Sequence, residues 1–479
     1  MYRVSVSPEN VHMEVPAGMT LLDALRQAGF SVDAPCGGRG TCGKCRVTVD
    51  GVERLACQTK VDRDMTVELP RQAPASILTE TFAVSRANEK GYSLAFDIGT
   101  TTVVGFLLDG GTELAFESAR NPQAVYGADV ISRIQYALKT DGAVLTKVIR
   151  ECLTDLTEKL CRKAGVAAGD IRRVSIVGNP AMQQLFLGIS PENLARLPFA
   201  PVLTEGKRTK ASEYLPVWEK AEMLIVPDIS GFVGADTVAC MLATRLDEED
   251  EMTLLVDIGT NGEMVLGNRE RLVACSTAAG PALEGANISC GIRGQVGAID
   301  HVHLENGEME CSVIGGGKAM GICGSGLIDA AAAAALELGL INARGRVQTE
   351  DRNIPLTDGI VLTQDDIRQL QLAKGAIAAG IRLMAEHLGI ELEAIRKVYL
   401  AGAFGTFMDP VSACRIGLLP QELAGKIQAI GNAAGSGAKL LACDSSALDY
   451  AQTLVEKTEF LELASVADFQ YRFAENMRF

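Results

Sequence analysis

The sequence contains no run of 18 consecutive apolar residues, so no membrane-spanning helix is expected. It has a single tryptophan and four histidines, and the latter, His301 and His303 among them, show no triad or metal-binding spacing. Positive charge is in deficit: 45 Lys and Arg stand against 60 Asp and Glu, a net charge of −15. Such a chain is repelled by phosphate backbones, which argues against nucleic acid as a partner. The opening stretch, MYRVSVSPENVHMEV, alternates and carries charge, without the apolar centre of a secretory leader. A cytoplasmic location is expected. The 13 cysteines, an odd number, then read as thiols or metal ligands rather than as a disulfide framework.

At 479 residues, about three folding units are expected, long enough to bury large cores. Residues 1–70 read as a compact β-rich unit. YRVSVS, VHMEVP, RVTVDGVE and MTVELP have the alternation or β-branched content of strands. Thr20 is placed to cap a short helix, with Asp23 three residues on and Gly29 as its stop. Residues 71–91 are polar and poor in packing residues, as in a flexible linker. From Tyr92 to Phe479 strands alternate with longer helices, an α/β pattern.

Four cysteines fall together. Cys36, Cys42, Cys45 and Cys57 have the spacing C-x5-C-x2-C-x11-C, inside a loop rich in glycine. Four thiolates suit a [2Fe–2S] cluster, and glycines let the backbone aim N–H groups at its sulfurs. A structural zinc site is the alternative, but zinc ribbons usually carry two C-x2-C pairs and here there is one. The strand–strand–helix–loop–strand order resembles a β-grasp ferredoxin. The scattered cysteines, Cys240, Cys275, Cys290, Cys311, Cys323, Cys414 and Cys443, share no metal spacing and are expected mostly as small buried side chains.

The second part repeats itself. LAFDIGTTTVVGFLLD begins at Leu94 and LLVDIGTNGEMVLG at Leu254, 160 positions later. Each reads as a hairpin whose turn offers backbone N–H groups and hydroxyls to phosphate, with an aspartate able to hold Mg²⁺ through water. A single copy would pass for a tight turn. Two copies imply two similar halves, about 92–250 and 251–479, clamping a nucleotide. Gly402 ends the apolar strand in KVYLAGAFGTFMDP, letting backbone approach a base or ribose, and Gly324, Ser325 and Gly326 open an apolar helix.

This order of elements resembles the actin, sugar-kinase and Hsp70 superfamily, a duplicated ribonuclease H-like α/β ATPase fold. The resemblance implies that Asp97, Gly99, Thr100, Thr101 and Thr102 form a first phosphate loop. Asp257, Gly259, Thr260 and Asn261 would form the second, and Gly402, Ala403 and Phe404 an adenosine loop. Gly324 and Ser325 are further candidates at the nucleotide. IVGNPAM, from Ile176 to Met182, resembles the first connecting element. By similarity to sugar kinases, Asp236 in VGADT, twenty-one positions before Asp257, would act on water together with Asp257. A plain helix N-cap is the other reading of Asp236. Glu284, in AAGPALEGANISCG, is expected in a glycine-rich surface loop.

The whole chain resembles one family, the ATP-dependent reductive activators of corrinoid proteins, on DIGTTT, DIGTNGE, LAGAFG, TAAGPALEGANISCGIRG and GICGSGLIDA. The resemblance implies one-electron transfer from the [2Fe–2S] cluster to an inactive Co(II) corrinoid, with ATP and Mg²⁺ as further cofactors. Its implied partners are a corrinoid methyl-carrier protein and a low-potential electron donor in an anaerobic methyltransferase system. A homodimer stays open. Longer members carry an extra domain before the ATPase that this chain lacks, which leaves docking open too. The rivals are an activator of 2-hydroxyacyl-CoA dehydratases, a redox-sensing small-molecule kinase, and an ATP-dependent clamp with a structural cluster. Reconstituted protein is expected to hold iron and to give a one-electron [2Fe–2S] signal by electron paramagnetic resonance; stoichiometric zinc with negligible iron would overturn the cluster assignment.

Overall fold

The structure is a computed structural model, and it describes residues 1–7, 11–28, 30, 32, 34, 38, 40, 45–69, 90–330 and 335–479. Gly29, Cys36, Cys42 and residues 71–89 of the expected linker lie outside the described residues.

The N-terminal unit has five strands: β1 (Tyr2–Ser7), β2 (Val11–Val15), β3 (Arg46–Val49), β4 (Val52–Leu55) and β5 (Met65–Glu68). They form one sheet in the order β2-β1-β5-β3-β4, with β1 and β5 parallel at its centre. Alternation along the strands puts Val4, Val6, Val47, Val49 and Val67 inside. The helix Leu21–Gln27 covers them with Leu21, Leu22, Ala24 and Leu25. Thr20 caps it as expected: its Oγ1 accepts the Asp23 N–H at 3.1 Å and donates to the Asp23 carboxylate at 2.6 Å. This is a β-grasp ferredoxin fold.

The first lobe of the remainder holds β6 (Tyr92–Ile98), β7 (Thr102–Asp109), β8 (Thr112–Arg120), β9 (Ile171–Gly178), β10 (Lys207–Lys210) and β11 (Glu222–Ile225). Their order is β10-β11-β9-β6-β7-β8. The second lobe begins with β12 (Met252–Ile258), β13 (Gly262–Gly267) and β14 (Leu272–Thr277). It then inserts two small sheets: β15 (Ala298–Glu305) and β16 (Glu308–Val313) with β17 (Gly321–Ile322), and the hairpin β18 (Asn353–Thr357)–β19 (Ile360–Thr363). It closes with β20 (Ile395–Ala401), β21 (Ile427–Gly431) and β22 (Thr458–Phe460), in the order β21-β20-β12-β13-β14-β22.

Five strands of each sheet match. An antiparallel meander is extended by two parallel strands, β6-β7-β8 by β9 and β11, and β12-β13-β14 by β20 and β21. The sequence repeat is therefore a repeat of fold, with each Asp-Ile-Gly-Thr between the first two strands of its meander. Only the sixth strands differ, β10 lying at one edge and β22 at the opposite edge.

Two helices, Ala235–Thr244 and Ala433–Cys443, lie between the sheets. A shared core joins Phe106, Val177 and Leu224 of one sheet to Leu255, Val265 and Tyr399 of the other through Val238, Ala239, Ala438 and Leu441. Lys439, in the second half of the chain, pairs with Glu113 of β8 at 3.0 Å, and Ser175 of β9 donates to the Ala438 carbonyl at 2.6 Å. The helices cross at Gly437, where an added Cβ would overlap the Ala239 carbonyl oxygen. Gly437→Val is therefore expected to destabilise the ATPase unit by about 1–3 kcal/mol. A lowered melting transition with unchanged visible absorption of the ferredoxin unit checks this.

Candidate functional site

The strands that carry the repeat end side by side. Asp97 pairs in register with Val177 of β9, and Asp257 with Ala401 of β20. Each turn closes on itself, the Gly99 N–H donating to Thr102 at 2.9 Å and the Gly259 N–H to Asn261 at 2.8 Å. Gly99, Thr100, Thr101, Gly259, Thr260 and Asn261 are thus half-buried turn residues, and Thr102 begins β7.

Acids gather between these turns. Burial, together with repulsion from Asp236 and Asp257, raises the Asp97 carboxyl to about 7, against a bond from the Asn432 side chain that lowers it. Burial and Asp236 raise Asp257 to about 7 in the same way. Burial raises Asp236 to about 6, although the Thr237 N–H at 2.8 Å favours its charged form. Glu263 is pushed well up by burial, Asp236 and Asp257. It also lies directly opposite Asp257 across the β12–β13 pair. Like charges placed so destabilise a sheet unless a cation sits between them. Among the described residues no three acidic, His or Cys side chains converge on a single metal position. The half-buried carboxylates of Asp97, Asp257 and Glu263 are hard oxygen donors, and such donors fit Mg²⁺ carried largely on waters and phosphate oxygens.

Asp236 is not a helix cap. Gly234 occupies that position, packed so closely on Asn179 and Pro180 that a Cβ would stand 2.5 Å from Pro180 Cδ, and Asp236 lies in the first turn facing the cleft acids. Gly402 has φ +82°, and a Cβ there would stand 2.7 Å from Asp257 Oδ1, so glycine alone lets this backbone pass the carboxylate. Ala403 and Phe404 follow in the first turn of the helix Gly402–Phe407.

Gly324 and Ser325 begin the helix Gly324–Ile328. Both are buried, and a Cβ on Gly324 would overlap the Leu283 carbonyl and stand 2.7 Å from Phe404. The Ser325 hydroxyl contacts Cys323 Sγ at 3.3 Å. These residues thus pack against Phe404, and the Ser325 side chain is buried. Glu284 departs from expectation. It is not on a surface loop: Thr260 Oγ1 donates to its Oε1 at 2.6 Å and Thr101 Oγ1 to its Oε2 at 3.3 Å.

A ring of supporting residues escaped sequence reasoning. The guanidinium of Arg133, in the buried face of helix Val130–Thr140, donates to the carbonyls of Thr100 and Gly127. Asn121 Nδ2 donates to the Gly99 carbonyl at 2.8 Å, and Asn179 Nδ2 to Thr100 Oγ1 at 3.1 Å. Glu263 stood in plain view in DIGTNGE, where period-two spacing from the turn would have placed it on the cleft face.

In the ferredoxin unit Cys45 is buried ahead of β3 and Cys57 follows β4. The Cys57 N–H points at Cys45 Sγ, 3.5 Å away, the kind of donor that a thiolate ligand requires. Gly38 has φ +89°, and a Cβ on it would press on Leu22 at 3.2 Å. What is described fits a cluster-binding loop. Elsewhere Cys240, Cys275, Cys323, Cys414 and Cys443 are buried, while Cys290 and Cys311 are partly exposed. His301 forms only a pair, Nδ1 to Asp329 at 2.9 Å, and that bond raises its pKa.

Three family models match successive parts of the chain: a 2Fe-2S iron-sulfur cluster binding domain over residues 4–62, the RACo middle region over 92–249, and the C-terminal, ASKHA domain of RACo over 251–479. The chain is 32% identical to the corrinoid activation enzyme RamQ of Eubacterium limosum, covering 95% of both proteins. This chain belongs to the family of reductive activators of corrinoid proteins. A second member, the [Co(II) methylated amine-specific corrinoid protein] reductase of Methanosarcina barkeri, is 29% identical over 75% of this chain and 71% of its own. A solved structure, a reductive activator for a corrinoid, iron-sulfur protein, superposes with a TM-score of 0.72 at 28% identity, covering 100% of this chain and 98% of the other. The alignment with RamQ spans 570 positions, more than the 479 of this activator, so the relative carries segments with no counterpart here.

The raised acids set a pH dependence. In the folded, cation-free protein Asp97 and Asp257 keep their protons to about pH 7, whereas unfolded aspartates lose theirs near 4. Between these values the folded state holds more protons, so stability is fullest in acid and declines as pH rises toward 7. Added Mg²⁺ is expected to raise the melting temperature more at pH 8 than at pH 5.5; equal shifts at both would contradict the charge argument.

Proposed function

We propose that this protein uses ATP to pass one electron from a [2Fe–2S] cluster to the inactive Co(II) corrinoid of a methyl-carrier protein, restoring Co(I). The observation that carries this reading is the joining, in one chain matched over 95% of its length by a corrinoid activation enzyme, of a ferredoxin unit to two carboxylate-bearing hairpins whose turns meet at Glu284. A dehydratase activator does not account for the ferredoxin unit, and the similarity to a corrinoid activation enzyme over 95% of the chain favours this reading over a redox-sensing kinase.

Roles follow from position. The turns 99–102 and 259–261 hold phosphate through backbone N–H groups and hydroxyls. Asp97, Asp257 and Glu263 orient a hydrated Mg²⁺, and Asp236 and Asp257 orient or deprotonate the water that attacks the terminal phosphate. Gly402, Ala403 and Phe404 border the adenosine. Cys36, Cys42, Cys45 and Cys57 ligate the cluster, which supplies one electron at a time. Residues 71–91 join the ferredoxin unit to the ATPase in sequence, a low-potential donor reloads the cluster, and the protein works in the cytoplasm. Nucleotide drives the transfer only by favouring one conformation or complex over another.

ATP hydrolysis is expected to be slow and to rise on addition of the Co(II) form of the partner. Turnover indifferent to every corrinoid protein of the source organism would remove this reading's main support. Asp257→Asn should reduce ATP-dependent cobalt reduction at least tenfold while leaving the cluster's absorption intact, followed by the Co(I) band in the visible spectrum.

A further inference from the structure

Glu284 is the one acidic side chain that holds both phosphate turns at once among the described residues, and no role in the scheme above is given to it. It ends a 3₁₀ turn, Pro281–Glu284, that is tied by Gly285 N–H to Ala282 at 2.9 Å and by Ala286 N–H to Pro281 at 3.1 Å. From there its two carboxylate oxygens accept from different lobes, Thr101 from the first and Thr260 from the second. The contacts differ in strength. At 2.6 Å the bond to Thr260 is short, whereas 3.3 Å to Thr101 is long for a hydroxyl donor.

A hydroxyl has one hydrogen to donate. While Glu284 accepts it, a phosphate oxygen, which is an acceptor only, cannot. A carboxylate lodged between the turns also repels a phosphate entering the same gap. Glu284 and the terminal phosphate therefore compete for the same two donors. Its neighbour Leu283 meanwhile packs its carbonyl on Gly324, beside Phe404 of the adenosine loop. A shift of this turn would be felt at both ends of the nucleotide.

We propose that Glu284 occupies the terminal-phosphate position of the nucleotide-free cleft, joining Thr101 to Thr260, and is displaced by a nucleoside triphosphate but not by a diphosphate. It is a specificity-determining residue: it sets how strongly the protein distinguishes ATP from ADP, and it does so by leaving. This rests on the reading of the cleft as an ATP site.

The test is calorimetric titration of the full-length, cluster-loaded protein with Mg²⁺·AMPPNP and Mg²⁺·ADP. Removing the competitor in Glu284→Ala is expected to tighten AMPPNP binding about tenfold while ADP binding changes less than about twofold. Glu284→Gln keeps the side chain's size and loses its charge, so it should move in the same direction by a smaller factor and serves if the alanine variant folds poorly. AMPPNP affinity that is unchanged or weaker, or that shifts in step with ADP, overturns the proposal. So do unchanged affinities with lost hydrolysis, which would make Glu284 a water-orienting group. Wild-type protein that binds neither nucleotide would sink the ATP reading itself, whereas wild-type binding without the selective shift sinks only the role of Glu284.

Discussion

Everything in the ATPase unit is arranged around negative charge that the protein does not neutralise. Asp236 stands close enough to raise the proton affinity of Asp97, Asp257 and Glu263, and Asp257 that of Asp97 and Glu263. Arg133 is near but turns its donors to the carbonyls of Thr100 and Gly127, and it is held by burial rather than by an acid of the cleft. Lys439 is spent on Glu113. A fold selected for stability alone would have supplied a cation from its own side chains, since unpaired buried charge is costly. Leaving the acids uncompensated makes the apoprotein less stable and makes cation-borne phosphate the missing partner.

Duplication explains how so many acids meet, and divergence explains why they do not do the same thing. The two meanders bring equivalent aspartates to equivalent strand ends. Opposite Asp257 stands Glu263, whereas opposite Asp97 stands Val104. Beyond the neighbouring parallel strand the first lobe has Asn179, which caps the helix Pro180–Leu187 and donates to Thr100, and the second has Gly402, which gives up a side chain to let backbone pass. One lobe is thus braced around its phosphate turn and the other opened for a larger group. The asymmetry suits a ligand with phosphate at one end and a flat base at the other.

The parts legible in the sequence were those encoded by neighbours in the chain. A strand ending in Asp-Ile-Gly-Thr contains its own turn, and Gly402 after an apolar strand contains its own break. Thr20 and its helix are likewise local. The parts that were not legible join distant segments. Glu284 reaches Thr101 across 183 positions, and nothing in its glycine-rich surroundings distinguishes a cleft from a surface loop. Asn432 meets Asp97 only because the helix Ala433–Cys443 of the second half lies on the first lobe's sheet. The need for glycine at Gly324 is likewise non-local: the space it frees is filled by the Leu283 carbonyl.

Coupling between nucleotide and electron transfer has a thermodynamic ceiling. A ligand shifts a two-state equilibrium only by its difference in affinity for the two states, and a swing from 1:99 to 99:1 needs about 5.5 kcal/mol. That difference must arise where the nucleotide touches groups whose positions depend on the lobes. Here the cleft and the lobe interface are built from the same contacts. Asn432 reaches Asp97 from the opposite lobe, Glu284 joins the two phosphate turns, and the helix bearing Asp236 is also the one that crosses Gly437. That crossing has no room for even a methyl group, so the helices cannot approach further there. A charge that enters or leaves between Asp97 and Asp257 therefore acts among contacts that also join the halves.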